Sequence, residues 1–307
     1  MEYSVVLPVY NEQDNIVPLY NELTPVMKSL GRPYEIIFVD DGSKDRTYER
    51  LLQLAMADRH VRIVKFRKNF GQTAAMDAGI KQSKGKILIT LDADLQNDPQ
   101  DIPKLLQKLD EGYDVVSGWR WNRKDTLSKK LFSKIANRIR RSLTGDKIHD
   151  SGCTLKVYRR ECFESLTLYG EMHRYITTVL RFRGFKIGEL PVNHRARKFG
   201  KTKYNFKRVF KGFFDLLFIK FWNDFSTRPI HFFGGAAMLQ FGLAFVILVE
   251  QIIKALIINA LYLGPLLVLS VMLVITGFLT FFFGFIAEIM IRMYYREKPN
   301  YEIEKVI

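Results

Sequence analysis

Two long stretches without formal charge place the tightest constraint on what this chain can fold into. Residues 232–249 and 255–287 contain no Asp, Glu, Lys or Arg. A membrane-spanning helix needs about 20 predominantly apolar residues. The second stretch would be apolar around the whole circumference of a helix, unlike an amphipathic helix packed on a soluble core. We therefore predict two membrane spans, roughly over residues 231–253 and 265–290, joined by a short turn around residues 259–264.

The charges that flank these stretches predict their orientation. Arg228 precedes the first span, Arg292, Arg296 and Lys298 follow the second, and the turn has at most Lys254. Because Lys and Arg are enriched on the cytoplasmic side of spans, we expect an integral protein of the plasma (inner) membrane with the N-terminal domain and both termini in the cytoplasm. A strand-like run begins directly after the first residue, so no cleaved signal peptide is expected.

The formal net charge of +15 is concentrated in two segments. Residues 119–147 and residues 195–228 each carry 10 Lys+Arg against 2 Asp+Glu, whereas residues 229–307 carry 5 of each. Beside two spans, such runs indicate phosphates and anionic headgroups as partners, and we expect no nucleic acid. The apolar spacing predicts an interfacial helix over residues 204–222 and a second one from near Leu127. For both, an ordinary amphipathic helix packed on the domain stays open.

The first two hundred residues alternate short apolar runs with helical stretches. This alternation predicts a wound, Rossmann-like α/β domain with a mainly parallel sheet covered by helices, because parallel strands need helical crossovers. The predicted strands cover residues 3–10, 34–39, 62–66, 86–91 and 114–118.

Polar clusters follow three of these strands: Asn11-Glu12, Asp40-Asp41 and Asp92-Ala93-Asp94. Ligands of such sheets bind at the carboxyl ends of strands, so the three clusters predict a binding edge. Asp98 is expected to cap a helix that starts at Pro99. Asp92 and Asp94 have no such structural explanation, and alternate residues of an extended chain point to the same side. Two neighbouring carboxylates repel unless a cation lies between them, which predicts a hard divalent ion.

Several other kinds of site are excluded by the sequence. Gly200-Lys201-Thr202 resembles the end of a phosphate-binding loop, but that motif needs a glycine at position 195, which is Arg. No G-x-G-x-x-G follows the first strand, so dinucleotide binding is unsupported. Cys153 and Cys162 are the only cysteines and cannot supply a disulfide framework or a four-cysteine zinc site.

Six motifs follow one another along the chain: Leu7-Pro-Val-Tyr-Asn-Glu12, Val39-Asp-Asp-Gly-Ser43, Asp92-Ala-Asp-Leu-Gln96 with Asp98-Pro99, Ser117-Gly-Trp-Arg120, Asp150-Ser-Gly-Cys153 and Arg197-Lys-Phe-Gly-Lys-Thr-Lys-Tyr204. In this order they resemble the motifs of the inverting nucleotide-sugar glycosyltransferases of family 2, which have a GT-A fold. Within that family the chain resembles the polyprenyl-phosphate glycosyltransferases, and its two C-terminal spans are most similar to the bactoprenol type. The Q-x-x-R-W motif of processive members is absent, so we expect transfer of a single sugar.

This resemblance implies roles for particular residues. The nucleoside and sugar would be held by Pro8, Tyr10, Glu12, Asp40 or Asp41, Asp92, Ala93 and Arg120. Mg²⁺ or Mn²⁺ would bind Asp92, Asp94 and Gln96, and the phosphates of donor or acceptor would contact Arg197, Lys201 and Lys203. Catalysis would rest on Asp92, Asp94 and Asp150. For Asp150, a weak base, an orienting group and a purely structural residue stay open.

The resemblance also implies a reaction and a domain plan. A nucleotide-diphosphate sugar, with UDP-glucose favoured, would donate one sugar to polyprenyl phosphate such as undecaprenyl phosphate, with inversion. GDP-mannose as donor, a glycerolipid as acceptor and a catalytically inactive interaction protein are the alternatives. The oligomeric state, a homo-oligomer included, is open. We expect a GT-A domain over residues 1–203, an interfacial helix over 204–228, two spans over 229–292 and a cytoplasmic tail over 293–307.

Overall fold

The computed structural model describes residues 1–121, 141, 144–145, 148–196, 207–258 and 264–295 of the chain. These residues form two compact units, Met1–Phe218 and Ile219–Ile307. The expected second basic helix near residue 127 and most of the turn around residues 259–264 lie outside the described residues.

The first unit alternates strands and helices, as the sequence predicts. The helices are α1 Ile16–Ser29, α2 Thr47–Ala57, α3 Gln72–Gln82, α4 Ile102–Asp110 and α5 Ile176–Phe182, and α6 Lys207–Phe225 runs from this unit into the second. The strands are β1 Tyr3–Val9, β2 Tyr34–Asp40, β3 Val61–Lys65, β4 Ile87–Thr90, β5 Val115–Trp119, β6 Lys156–Arg159 and β7 Ile187–Pro191. The first five strands confirm the predicted positions to within two residues at either end.

The seven strands form one mixed sheet in the order β3-β2-β1-β4-β6-β5-β7. All neighbouring pairs are parallel except those of β6, which is antiparallel to both β4 and β5. The sequence analysis did not predict β6 and β7. They are four and five residues long and contain Lys156 and Glu189, so neither shows the apolar run or the clean alternation that indicates a strand.

Both faces of the sheet are buried, which explains the near-continuous apolar runs. All seven residues of β2 are buried. On one face Leu7 packs in a cluster with residues of α1 and α4, and on the other face Val6 packs in a cluster with residues of α3. Strands of parallel sheets covered by helices on both sides have this composition because no face is left for water.

The second unit contains the two apolar helices that the sequence predicts. Helix α7 covers Pro229–Ile258 and helix α8 covers Pro265–Tyr295. Their most apolar windows have mean hydropathies of 2.2 and 2.6, and only 6% and 11% of those windows is buried. Because these helices are apolar and exposed, they fit a membrane environment and not the core of a soluble domain. The predicted helix over residues 204–222 corresponds to α6.

Close packing between α7 and α8 depends on two glycines of α8. A Cβ atom at Gly277 would lie 2.6 Å from the ring of Phe241, and one at Gly284 would lie 2.6 Å from Cβ of Phe233. Between these two contacts, Nε2 of Gln240 donates a hydrogen bond to Oγ1 of Thr280 over 3.3 Å. Small residues at such positions let two helices approach closely within a bilayer.

We expect Gly284→Ala to loosen this helix pair. The added methyl group would overlap the Cβ atom of Phe233, and overpacking of this kind costs about 1–3 kcal/mol. Thermal unfolding of the full chain in detergent should show a lower midpoint. Gly235→Ala is the matched control, since nothing lies within 4 Å of its Cβ position. Equal midpoints for the two variants would contradict this packing.

Candidate active site

The three predicted polar clusters lie at one edge of the sheet. Strands β1, β2 and β4 are parallel neighbours, with Val9 opposite Asp40 and Val6 opposite Thr90. Their carboxyl ends therefore meet side by side. The residues at and after these ends, from Tyr10, Asp40 and Leu91 onward, come together as predicted from the sequence.

The loops after β1 and β2 are held together by hydrogen bonds. The amide of Asn11 donates to Oγ of Ser43 over 3.0 Å, and Oδ1 of Asn11 accepts from the amide of Lys44 over 2.8 Å. The amide of Glu12 donates to Oγ1 of Thr47 over 2.9 Å. These contacts fix the main chain around Tyr10 and Glu12, two predicted nucleoside-binding residues. Pro8, the third, lies within β1 opposite Val39.

Asp40 and Asp41 have different surroundings although both are buried. The carboxylate of Asp41 accepts hydrogen bonds from the amides of Phe70 and Gly71, over 2.6 and 2.9 Å, and from the side chain of Asn69. Asp41 thereby holds the loop that leads into α3. Asp40 accepts from the amide of Ser43 through Oδ1, whereas its Oδ2 has no hydrogen-bond partner among the described residues.

A glycine allows the loop after β2 to approach the loop that leads into α3. Gly42 has a φ of +70°, which L side chains rarely adopt, and a Cβ atom there would lie 2.5 Å from the main-chain carbon of Lys68. The Asp-Asp-Gly-Ser motif after β2 thus has a backbone reason for its glycine.

Asp92 and Asp94 lie in the loop directly after β4. Oδ1 of Asp92 accepts a hydrogen bond from Nε2 of Gln72, at the start of α3, over 2.8 Å. Asp94 is buried and accepts from the amide of Gln96 over 3.1 Å. Burial, followed by repulsion from Asp94, raises the pKa of Asp92 to about 6. Between the two, Ala93 packs into the core, so only its main chain is offered to a ligand.

Arg120 and Asp150 form a buried, bidentate ion pair. Nε of Arg120 lies 2.6 Å from Oδ2 of Asp150, and Nη2 lies 2.9 Å from Oδ1. Their side chains are 16% and 8% exposed. The amide of Asp150 donates to Oε1 of Glu189 in β7 over 2.9 Å, which anchors the main chain. Arg120, predicted to hold the nucleotide sugar, and Asp150, predicted to take part in catalysis, therefore bind each other.

The loop after Asp94 contacts Arg195, the first residue of the second basic segment, residues 195–228. The amide of Arg195 donates to the main-chain oxygen of Gln96 over 2.8 Å, and Nε2 of Gln96 donates back to the oxygen of Arg195 over 3.3 Å. The guanidinium of Arg195 contacts Glu22 and Asp98. Asp98 also caps the short helix at Pro99, as predicted. Residues 193–196 are thereby fixed beside Gln96.

The predicted phosphate-binding residues Arg197, Lys201 and Lys203 lie outside the described residues. Their roles stay predictions.

Sequence reasoning missed several residues that support this edge. Gln72 contacts Asp92, Glu189 holds Asp150, and the ammonium group of Lys156 donates to the main-chain oxygens of Ser151 and Cys153. A lysine between the apolar Leu155 and Val157 was the available signal for the third of these. Gln72 and Glu189 carry no local signal, because their partners are 20 and 39 residues away.

A wound sheet with an acidic cluster and paired charges at its carboxyl edge presents polar side chains where open α/β sheets bind their ligands. The family model for glycosyl transferase family 2 matches residues 4–167. The chain therefore belongs to glycosyl transferase family 2, and the resemblance stated from its motifs is confirmed.

Two relatives match the chain along its whole length. A dodecaprenyl-phosphate galacturonate synthase of Rhizobium johnstonii is 38% identical over 314 residues, covering 100% of this chain and 93% of that protein. An undecaprenyl-phosphate 4-deoxy-4-formamido-L-arabinose transferase of Klebsiella pneumoniae is 35% identical over 309 residues, covering 99% and 93%. The chain is thus similar to polyprenyl-phosphate sugar transferases over both of its units.

Solved structures confirm the GT-A fold of the first unit. Glucosyl-3-phosphoglycerate synthase of Mycobacterium tuberculosis with UDP superposes with a TM-score of 0.55 at 20% identity, covering 72% of this chain and 79% of that chain. The same enzyme with Mn²⁺, UDP-glucose and glycerol 3-phosphate also gives a TM-score of 0.55, covering 71% and 79%.

The residues around Asp92 fit a divalent cation. The two carboxylates and the side-chain amide of Gln96 offer oxygen ligands, and burial together with repulsion from Asp94 raises the pKa of Asp92, which a cation between the two carboxylates would oppose. Within the described ranges, no group of three His, Cys, Asp or Glu side chains could hold a metal. A cation at Asp92 and Asp94 would therefore need further oxygens, which a diphosphate supplies, as is usual for Mg²⁺.

Proposed function

We propose that this glycosyltransferase transfers one sugar from a nucleotide-diphosphate sugar to the phosphate of a membrane polyprenyl lipid. The observation that carries the proposal is the edge formed by Asp40, Asp92 and Asp94 in a chain that also has two apolar helices. Similarity over 99–100% of the chain to two polyprenyl-phosphate sugar transferases supports it. A polyprenyl-phosphate acceptor is favoured over a glycerolipid by these relatives.

The donor would lie along the carboxyl edge of β1, β2 and β4. Oδ2 of Asp40 is a buried acceptor without a partner among the described residues, which suits a donor group of the nucleoside. Asp41 already accepts three hydrogen bonds from the loop that leads into α3, so we assign it to holding that loop. Tyr10 and Glu12 follow β1 at the same edge, in a main chain fixed by the loop after β2.

Asp92, Asp94 and Gln96 would hold Mg²⁺ or Mn²⁺. When bound, the cation neutralises charge that grows on the leaving diphosphate. The protein contributes preorganised positive charge through Arg120, whose guanidinium is fixed by Asp150. The acceptor phosphate is anionic at neutral pH and needs no strong base. We therefore propose that Asp150 orients Arg120, and that a single in-line displacement inverts the anomeric carbon.

The location follows the distribution of charge. We propose that α7 and α8 span the plasma membrane, with the catalytic unit and both termini on the cytoplasmic side, because Arg228 and Arg292 flank the spans there. The basic residues after Ala196, including Arg197, Lys201 and Lys203, would contact phosphates of the donor, the lipid acceptor or headgroups. The domain boundaries predicted from sequence are retained in this proposal.

A panel of donors tests the proposed substrate class. Purified protein in vesicles with undecaprenyl phosphate would be supplied with UDP-glucose, UDP-galacturonate, UDP-4-deoxy-4-formamido-L-arabinose and GDP-mannose. The names of the two relatives make galacturonate and 4-deoxy-4-formamido-L-arabinose as important to test as glucose. The preference for UDP-glucose rests on the sequence resemblance alone. We expect a lipid-linked product with a UDP-sugar. A product with GDP-mannose only would contradict the donor class, and product only with added diacylglycerol would contradict the acceptor.

A further inference from the structure

A buried lysine lies under the turn that carries Asp150. Lys156 is the first residue of β6 and is only 2% exposed. It lies opposite Thr90 of β4 and Ser117 of β5, so it occupies the middle of the sheet next to the strand that leads to Asp92. Its ammonium group donates to the main-chain oxygen of Ser151 over 3.2 Å and to that of Cys153.

This position is costly for a cation. Transfer of an ammonium group from water into the protein interior costs several kcal/mol unless hydrogen bonds and charges compensate for it. Burial lowers the pKa of Lys156, while Cys153, Asp150 and Asp92 act in the opposite direction. Tyr158, the next residue on the same face of β6, is 1% exposed, so packing alone would suit an apolar side chain here. The ammonium group is explained by the two main-chain oxygens to which it donates hydrogen bonds.

These oxygens belong to the short turn Asp150–Cys153, which begins with a predicted catalytic residue. The carboxylate of Asp150 accepts from the amide of Gly152 over 3.2 Å and binds Arg120 through two oxygens. The amide of Asp150 is fixed from the outside by Glu189. From the inside, the two carbonyl contacts of Lys156 fix the other end of the turn, at Ser151 and Cys153. The turn is therefore held at both ends, by Glu189 and by Lys156.

We propose that Lys156 is a positioning residue, which fixes the turn Asp150–Cys153 and through it the Arg120–Asp150 pair at the donor edge. It contacts neither donor nor acceptor. Its importance for sugar transfer rests on the proposed function, whereas its hold on the turn does not. Nearby, the main-chain oxygen of Thr154 accepts from Oγ1 of Thr90, so the turn also abuts the end of β4.

The two cysteines provide a direct measurement of this hold. Cys153 lies in the turn and is 0% exposed, whereas Cys162 lies beyond the far end of β6 and is 1% exposed. A thiol reagent reaches either one only when its surroundings open. In Lys156→Met, a side chain of similar length loses both carbonyl contacts. We expect labelling of Cys153, followed by mass spectrometry of the full chain in detergent, to accelerate at least about tenfold relative to Cys162.

Further variants make the result decisive. Lys86→Met removes an 80%-exposed lysine just before β4 and should leave both labelling rates unchanged. Lys156→Gln keeps a donor and should give an intermediate ratio; it carries the test alone if the methionine variant does not fold. With a working donor, Lys156→Met should lower kcat more than it raises KM.

The proposal is overturned if Cys153 reacts no faster in the Lys156 variants, or if both thiols accelerate equally. The labelling uses no donor or acceptor, so its failure is distinct from failure of the proposed reaction.

Discussion

Asp92→Asn is expected to lower the rate of sugar transfer by at least about a hundredfold while leaving the protein folded. The amide keeps an oxygen that can accept from Gln72, so the local hydrogen bond survives. It loses the negative charge that would bind a divalent cation, and removal of one preorganised electrostatic contact at a reacting centre costs about 10²–10³ in rate. Asp94→Asn should behave in the same way.

The thermal stability of Asp92→Asn, unlike its rate of sugar transfer, should not decrease. Burial, and after it repulsion from Asp94, raises the pKa of Asp92, so the charged form of Asp92 destabilises the metal-free fold. Thermal unfolding without divalent cation should therefore give an unchanged or higher midpoint for Asp92→Asn. The control is Asp110→Asn, at the exposed end of α4, which should affect neither rate nor midpoint. Full activity of either loop variant at low metal concentration would contradict the metal assignment.

Arg120→Gln is expected to lower the free energy of unfolding of the catalytic unit by about 3–5 kcal/mol, because it removes the guanidinium that forms the buried ion pair with the carboxylate of Asp150. Asp150→Leu should cost a similar amount by leaving the guanidinium unpaired. The double variant should cost clearly less than the two single changes together, since neither charge then stays buried alone. Urea unfolding of the full chain in detergent measures all three, with Trp119 and Trp121 beside the pair as fluorescent reporters.

The exposed pair Arg46–Glu49 is the matched control for this cycle. Its side chains are 79% and 71% exposed and its charges are 3.9 Å apart, so Arg46→Gln should change stability by less than about 1 kcal/mol.

Kinetics of Asp150→Asn separate the proposed roles of Asp150. An orienting Asp150 predicts that Arg120→Gln and Asp150→Asn each lower the rate and that the double variant is little worse. If Asp150→Asn abolished transfer while Arg120→Gln retained it, Asp150 would act as a base.

The binding edge was predictable from the sequence because each of its parts is local. β1, β2 and β4 are apolar runs that end at polar residues, and the parallel order of such strands brings those ends together. The two apolar helices were predictable for a similar reason, since 18 and 33 uncharged residues leave few other environments.

What could not be predicted depends on contacts distant in sequence. β6 is antiparallel and buries Lys156, so its pattern resembles neither an exposed strand nor an apolar one. The pairing of Arg120 with Asp150 spans 30 residues, and nothing around either residue indicates the other. The attachment of Arg195 to Glu22 spans 173 residues. These contacts change the interpretation of Arg120 and Asp150 from separate ligand contacts to one preorganised unit.

The +15 net charge is also better understood with the structure. Part of the positive charge before α7 is paired within the first unit, as in Arg120 with Asp150 and Arg195 with Glu22 and Asp98. These arginines stabilise the edge on which the donor would lie. The charge of residues 197–203 begins directly after the segment fixed beside Gln96, which supports its proposed contact with phosphates.

We propose that the edge formed by Asp92 and Asp94 transfers a single sugar to polyprenyl phosphate. The most direct measurement is mass spectrometry of the lipids formed by the purified wild-type protein and by Asp92→Asn, in vesicles with undecaprenyl phosphate, a UDP-sugar and Mg²⁺ or Mn²⁺. We predict a lipid heavier by one sugar residue with the wild-type protein, and almost none with the variant or with chelator. A lipid carrying several sugars, or equal product from Asp92→Asn, would contradict this proposal.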